Sequence, residues 1–340
     1  MSSSSPIVTV MICTYNRAVS LRQTLDSVEP QVLPEGWSLE ILVIDNNSRD
    51  NTAETVLGFA KTSKHTVRHI REENQGVAYA RNRGLREAAG KYALFIDDDA
   101  LAAENWIAEM IRSFEETGAD MVGGKIDPLW IQEKPEWMDA KLQGPIIRLD
   151  YGPTRKKVLH AAQTFLTANL GFRIEAAGKH ALFDTSLGRC RDRWVGGEDY
   201  ELCSRWHREG AAIYYEPAAV VMHKVEPERL TPAFYKNWFK DIGYTQGHQL
   251  PWKSHYRWSI IPAWKWVLLL RTLAQYAAAR TGVLGKTAGL RAEIWWAFQK
   301  SFFLERLDHW KSEWRGDKKP VCLFSRARIP ENSNLKIKEG

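Results

Sequence analysis

Through its first 130 residues the chain alternates between short apolar, β-branched runs and segments with helical spacing, and this alternation restricts the fold more than any other feature. IVTVMIC (7–13) reads as a buried strand and SLRQTLDSV after it as a helix. LEILVID (39–45) is a second strand, and Ser48 or Asp50 can cap the helix NTAETVLGFAK. TVRHI, YALFID (92–97) and DMVGGKI supply three more strands. Between them lie the helices GVAYARNRGLREAAG, closed by Gly90, and ENWIAEMIRSFEETG, ending at Gly118. Such alternation predicts an α/β fold, a parallel sheet with helices on both faces. Ligands bind these sheets at the carboxyl ends of strands. Here those ends are polar: Thr14, Tyr15, Asn16 and Arg17 after the first strand, Asp45 after the second, and Asp97, Asp98 and Asp99 after the fourth.

Past residue 127 the pattern loosens. Residues 127–160 read as irregular, AAQTFLTANLGFRI returns to strand character, and WVGGEDYELCSRWHREG reads as loop, helix and glycine stop. AAIYYEP and AVVMH are two short strands, and beyond about residue 230 the chain turns helical and aromatic. Four scattered cysteines with no CxxC pair argue against a zinc site or disulfide scaffold and fit a reducing compartment. MSSSSPIV lacks the basic start and apolar stretch of a signal peptide, and no uninterrupted apolar run is long enough to span a bilayer.

Three stretches carry candidate chemistry. In FIDDDA, alternate positions at a strand end share a side, so Asp97 and Asp99 point together and Asp98 away. Paired carboxylates suit Mg2+ or Mn2+, although an acidic turn or a helix cap would look the same. In GGEDYEL, Gly196 and Gly197 allow close backbone approach, and Glu198 and Asp199 enter the first turn of a helix. There Asp199 would stay ionised, as a general base or simply as dipole compensation. In NQGVAYARNRG, Arg81 either faces solvent or reaches a nucleotide. His223, closing AVVMH, is either an exposed strand end or a further metal ligand shared with Asp99.

Taken in order, VTVMICTYNR, ILVIDNNSRDNT, NQGVAYARNRG, FIDDDA and GGEDYEL resemble the family-2 inverting glycosyltransferases with the GT-A fold, over roughly residues 5–225. The resemblance implies a Rossmann-like nucleotide-diphospho-sugar transferase domain, residues 1–228, followed by a mostly helical extension, 229–340. It implies a nucleotide-diphospho-sugar donor, UDP being favoured, and a hydroxyl acceptor in surface glycan or glycolipid synthesis. By analogy Thr14, Tyr15 and Arg17 line the nucleotide pocket, Asp45 bonds the base and Arg81 helps hold the nucleotide. The triplet matches the DxD motif: Asp97 and Asp98 toward ribose and metal, Asp99 on the metal, their division of labour left open because all three are Asp. Asp97, Asp99 and His223 would hold Mn2+ or Mg2+, Asp199 matches the catalytic base, and Glu198 orients the acceptor. The QxxRW motif of processive members is missing, and Trp206 in SRWHREG does not replace it, so one sugar is transferred rather than a polymer built. Two rivals stand beside this reading. One is a phosphotransferase of the haloacid-dehalogenase type, whose DxDx[TV] strand ALFIDDDA loosely matches with Ala100 in the last place; the other is an inactive sugar-nucleotide-binding scaffold.

The formal net charge of +6 is unevenly spread. From residue 251 onward there are 17 Lys and Arg against 7 Asp and Glu, leaving 30 against 34 for the first 250 residues; eight of the 15 tryptophans also lie beyond 250. WSIIPAWKWVLLLRTLAQYAAARTGVLG (258–285) is apolar but broken by Lys265 and Arg271, which share a helical sector with Thr272, Gln275 and also Leu268. Such helices suit the headgroup region of an anionic membrane, placing the protein peripherally on the cytoplasmic face; packing on the catalytic domain or oligomerisation is the alternative. No nucleic-acid-binding module is present, and no nucleic-acid partner is expected.

Overall fold

The computed structural model of the chain describes residues 7–138, 142, 144–180, 182–190, 193–249 and 261–315. The remainder of the expected extension, 316–340 and 250–260, lies outside the described residues.

Strand β1 (Ile7–Thr14) lies at the centre of a parallel group with β2 (Ser38–Asp45) and β3 (Thr66–Arg71) on one side and β4 (Tyr92–Ile96) on the other. β1 is buried on both faces. Val8, Val10 and Ile12 join one core with helices α1 (Ala18–Val28), α2 (Thr52–Ala60) and α4 (Trp106–Thr117). Met11 joins the other with α3 (Val77–Glu87) and α6 (Glu198–Arg208), where Phe95, Phe172 and Trp206 pack. The continuous apolar runs follow from this double burial. α3 ends at Glu87, before the expected stop. Gly90 serves instead as a close approach, since a Cβ there would lie 2.7 Å from the Thr9 amide nitrogen.

Beyond β4 the expected parallel sheet becomes mixed, with β6 (Met121–Trp130) and β11 (Ile213–Val225) parallel to each other but strands of opposite direction beside them. The nine-stranded sheet runs β3-β2-β1-β4-β8-β6-β11-β5, with β7 (Lys156–Lys157) paired to β11. β8 (Asn169–Arg173) is antiparallel to both β4 and β6, and β5 (Ala100–Ala102) is antiparallel to β11. A parallel return needs a crossover, usually a helix, and the described residues between β6 and β8 supply no α-helix; the chain re-enters reversed. The short helix α5 (Ile174–Lys179) and a hairpin of β9 (Gly188–Cys190) and β10 (Arg193–Val195) lead into α6. The two short strands expected near 213–223 are one strand, β11, whose register shifts between Glu216 and Val220. Asn169 braces that irregularity: its amide donates to the carbonyls of Lys125 and Ala219, both at 2.8 Å, and accepts from Trp106 Nε1 at 2.8 Å.

A 3-10 turn, Pro227–Leu230, leads into α7 (Pro232–Gln249), α8 (Ala263–Arg280) and α9 (Lys286–Trp314). Leu230, Tyr235 and Phe239 pack with Ile294 and Phe298 of α9 and with Met138 and Leu142, closing a third core on the flank of the sheet. α7 and α9 touch backbone to backbone at Gly243 and Gly247, where an added Cβ would lie 2.2 Å from the Phe298 carbonyl oxygen and 2.9 Å from that of Phe302. Gly243→Ala is therefore expected to destabilise the protein by about 1–3 kcal/mol through overpacking. Thermal denaturation checks this; an unchanged Tm would show that the two helices separate freely.

Candidate active site

The crevice between β1 and β4 is where the chain order reverses, and such a switch point is a ligand site by construction. Thr14 ends β1 there and donates its hydroxyl proton to Asp98 Oδ2 at 2.7 Å, tying the two strand ends together. Asp97–Asp99 form a turn between β4 and β5, closed by the Ala100 amide donating to the Asp97 carbonyl. Asp98 also meets Arg17 Nη1 at 3.3 Å, while burial and the neighbouring aspartates push its carboxyl up to about 6 against the pull of Arg17 and Thr14.

Asp97 and Asp99 point to the other side, where β11 delivers His223. Pairing with β5 sets His223 opposite Ala100, and the Lys224 amide donates to the Asp99 carbonyl. The imidazole is 1% exposed, not the accessible strand end that its sequence position allows. Its Nε2 lies 3.0 Å from Asp99 Oδ1 and 3.9 Å from Asp97 Oδ2. The other ring nitrogen, Nδ1, is 3.1 Å from the Lys224 carbonyl, which can only accept, so the ring proton sits there. Nε2 is buried, faces the two carboxylates, and makes no hydrogen bond of acceptable geometry. Lone pairs facing one another at this distance require a proton or a cation between them. One atom from each of Asp97, Asp99 and His223 lies within 4.8 Å of the others, a two-oxygen, one-nitrogen set that fits a divalent cation. Asp97 keeps 32% of its side chain exposed, the most open of the three ligands.

The outer oxygen of Asp99 is held by two guanidinium groups, Arg17 at 2.6 Å and Arg229 at 2.8 Å. Burial would raise the Asp99 carboxyl, but His223, Arg229 and Arg17 together hold it well below the usual carboxylate range. Arg229 belongs to the 3-10 turn outside every motif, and nothing in its local sequence marks it.

Facing this cluster is the start of α6. Gly197 turns in with φ of +100°, and Glu198 and Asp199 occupy the first helical turn. Arg81 of α3 is not solvent-facing: it is buried, with Nη1 2.9 Å from Glu198 Oε1 and 3.0 Å from Asp199 Oδ1, and its guanidinium lies over the Phe183 ring. The amide and hydroxyl of Thr167 donate to the second Asp199 oxygen at 3.2 and 3.3 Å. Asp199 does not have the low pKa that a helix N-terminus alone would give. Burial is the largest effect; Glu198 adds to it, Arg81 and the Thr167 amide oppose it, and the carboxyl ends at about 7. The charge of Asp97 acts on both Arg81 and Asp199, so the two constellations are neighbours.

Two residues expected at a nucleotide are turned inward. Asp45 is 1% exposed and accepts the Ser48 amide on Oδ1 at 2.8 Å, with His69 Nε2 3.5 Å from its other oxygen. Arg81 is likewise committed to Glu198 and Asp199. Tyr15, by contrast, is 43% exposed beside Asn16, whose φ is +53°.

Comparison with known proteins agrees with this geometry. Residues 9–170 match the family model described as glycosyl transferase family 2. Over 222 residues, 64% of this chain and 69% of the relative, the sequence is 28% identical to the glucosyl-dolichyl phosphate glucuronosyltransferase of Haloferax volcanii. It is 27% identical over 252 residues to the succinoglycan biosynthesis protein ExoM of Rhizobium meliloti, covering 73% of this chain and 76% of that one. The solved mannosyltransferase PcManGT from Pyrobaculum calidifontis, in complex with GDP-Man and Mn2+, superposes with a TM-score of 0.55 at 20% identity, over 93% of this chain and 89% of its own. The match spans the Asp97–Ala100 strand end, which removes the haloacid-dehalogenase alternative. With the sheet order, the Asp-Asp-His cluster and these relatives together, the chain has the GT-A fold and is similar to glycosyltransferase family 2 over residues 9–170.

Proposed function

We propose that the protein is an inverting, metal-dependent transferase that moves one sugar from a nucleotide-diphospho-sugar to a hydroxyl of a lipid-linked or surface-glycan acceptor, working at the cytoplasmic face of a membrane. One observation carries the reading: a buried His223 Nε2 with no hydrogen bond, aimed at Asp97 and Asp99 in the same cleft as a carboxyl balanced near neutrality. Asp97, Asp99 and His223 would hold Mn2+ or Mg2+, which when bound supplies positive charge for a departing diphosphate. Arg17 and Arg229 add fixed positive charge on the outer side of Asp99. The exposed ring of Tyr15 offers a surface on which a base can stack, walled by the 46–48 turn that Asp45 orders.

Asp199 takes the acceptor proton as the hydroxyl oxygen bonds to the anomeric carbon and the bond to the diphosphate breaks. Arg81 and Thr167 fix its orientation, and Glu198, on the same guanidinium, borders the acceptor side. A single displacement of this kind inverts the anomeric centre and needs no covalent nucleophile. The names of the relatives support the donor and acceptor classes: one handles a dolichyl-phosphate sugar and one solved neighbour holds GDP-Man with Mn2+. None of the described helices is long and apolar enough to cross a membrane, which is compatible with peripheral attachment.

The test is a thermal-shift panel of UDP-, GDP- and dTDP-sugars with and without Mn2+. A donor present at about a hundredfold its Kd stabilises by about 2.7 kcal/mol, a rise of a few degrees in Tm. The expected result is such a rise for one nucleotide class, dependent on the metal. No rise with any donor would overturn the reading.

A further inference from the structure

Helix α8 is built inside out. Its single fully buried side chain is Thr272, and Lys265 turns inward with its ammonium 4.4 Å from the Phe302 ring centroid and 5.5 Å from that of Phe298. Burial lowers the pKa of this lysine. Leu269 packs inward with Phe302 and Phe303, but most of the helix's large apolar side chains are exposed: Val267 is 66% exposed, Leu270 64%, Trp264 55%, Trp266 42% and Leu273 42%. A surface helix ordinarily does the reverse, with its apolar stripe on the core.

The arrangement of the outward face names an occupant. At about 100° per residue, Leu273, Trp266, Ala277, Leu270, Ala274 and Val267 follow one another over about 120° of arc with no charge among them. Arg280 borders this strip on one edge and Arg271 on the other, and α8 contains no Asp or Glu. An apolar strip edged by arginines and tryptophans is complementary to a bilayer with anionic headgroups, where acyl chains take the strip and lipid phosphates take the arginines. It is poorly complementary to a second copy of itself, because a twofold contact between two α8 helices brings arginines together with no carboxylate on either.

We infer that the outward face of α8 is a lipid-contacting surface that lies in the headgroup region of an anionic membrane and docks the enzyme there. This deepens the peripheral placement proposed above and rests on it for location only; α9 anchors α8 to the body through Leu269 on Phe302 and Phe303 and Tyr276 against Trp296, while Trp266, half exposed at the edge of the strip, leans its ring on Phe303.

Vesicle flotation tests it with the full-length protein. Wild type is expected to float with phosphatidylcholine vesicles containing phosphatidylglycerol, and much less with phosphatidylcholine alone or in high salt. Val267→Glu/Leu270→Glu is expected to lose more than tenfold of that binding, and Arg271→Glu/Arg280→Glu to lose the preference for phosphatidylglycerol. Tm should be unchanged in both variants, since all four side chains are exposed. Wild type that stays in solution with either vesicle, or variants that float as wild type does, would overturn the inference. So would a dimer in sedimentation velocity that Val267→Glu/Leu270→Glu dissolves. The nucleotide-sugar thermal shift, measured on the same proteins, reports separately on the transferase reading and is expected to be the same in all of them.

Discussion

Asp199→Asn is expected to lower the transfer rate by about 10²–10⁴-fold, the usual contribution of a positioned general base. The substitution keeps the shape of the side chain, so donor binding and its metal-dependent thermal shift should survive. What it removes is the ability to take a proton. The pH profile supplies an independent check. Burial, the largest influence, places the Asp199 carboxyl at about 7, with Glu198 adding to it and Arg81 and Thr167 opposing. The raised pKa means that the carboxyl is protonated, and unable to act as a base, below that value. kcat/KM should therefore fall tenfold per pH unit as the pH drops below about 7 and level off above it. An acidic limb near the ordinary carboxylate range, about 4, would show that another group limits the reaction. Asp199→Asn retaining activity within tenfold of wild type would remove Asp199 from the base role. Wild type and variant equally inactive with every donor would favour a sugar-nucleotide-binding scaffold.

The second large effect is expected at the Asp-Asp-His cluster. His223→Ala removes the nitrogen donor but leaves both carboxylates and both arginines in place, so it isolates the ligand set from the ion pairs around it. Direct Mn2+ titration should show weakened uptake, and transfer should drop by at least two orders of magnitude, in line with the several kcal/mol a metal supplies to a developing oxyanion. Asp99→Asn should lose as much activity and some stability as well. Its carboxylate pairs with Arg17 and Arg229, and neutralising it takes the counter-charge from the partly buried Arg229 and leaves Arg17 with Asp98 alone. Unchanged Mn2+ affinity in both variants would show that the cluster is an internal ion pair only.

How far the sequence carried depended on the range of the forces involved. The parallel half was legible because β1, β2 and β4 are buried on both faces and each meets a helix of regular period. In the mixed half the runs that form β6, β8 and β11 were legible as strands, but their directions and neighbours were not. β5 has three residues, too few for a pattern, yet its pairing with β11 sets His223 beside Asp99. The bulge that joins two apparent strands into β11 depends on Asn169, distant in sequence from the carbonyls it binds. Asp97, Asp98 and Asp99 could be separated into two directions by strand alternation, and the coordinates put Asp98 on Thr14 and the other two with His223. Arg81 and Asp45 illustrate the limit: residue type suggested ligand contacts, and gave no sign of the internal partners that folding brings to both, Glu198 and Asp199 to one and the Ser48 amide to the other. Arg229 and Thr167 carried no signal, because a guanidinium in a turn and a hydroxyl in a loop acquire meaning only from what folding brings next to them.

The turn bearing Arg229 begins the helical segment yet ends on an oxygen of Asp99, whose other oxygen faces His223. A divalent ion held by Asp97, Asp99 and His223 would share the Asp99 charge with the Arg229 guanidinium. By reciprocity, any shift of the Arg229 turn that altered cation affinity would itself be altered by the cation to the same degree.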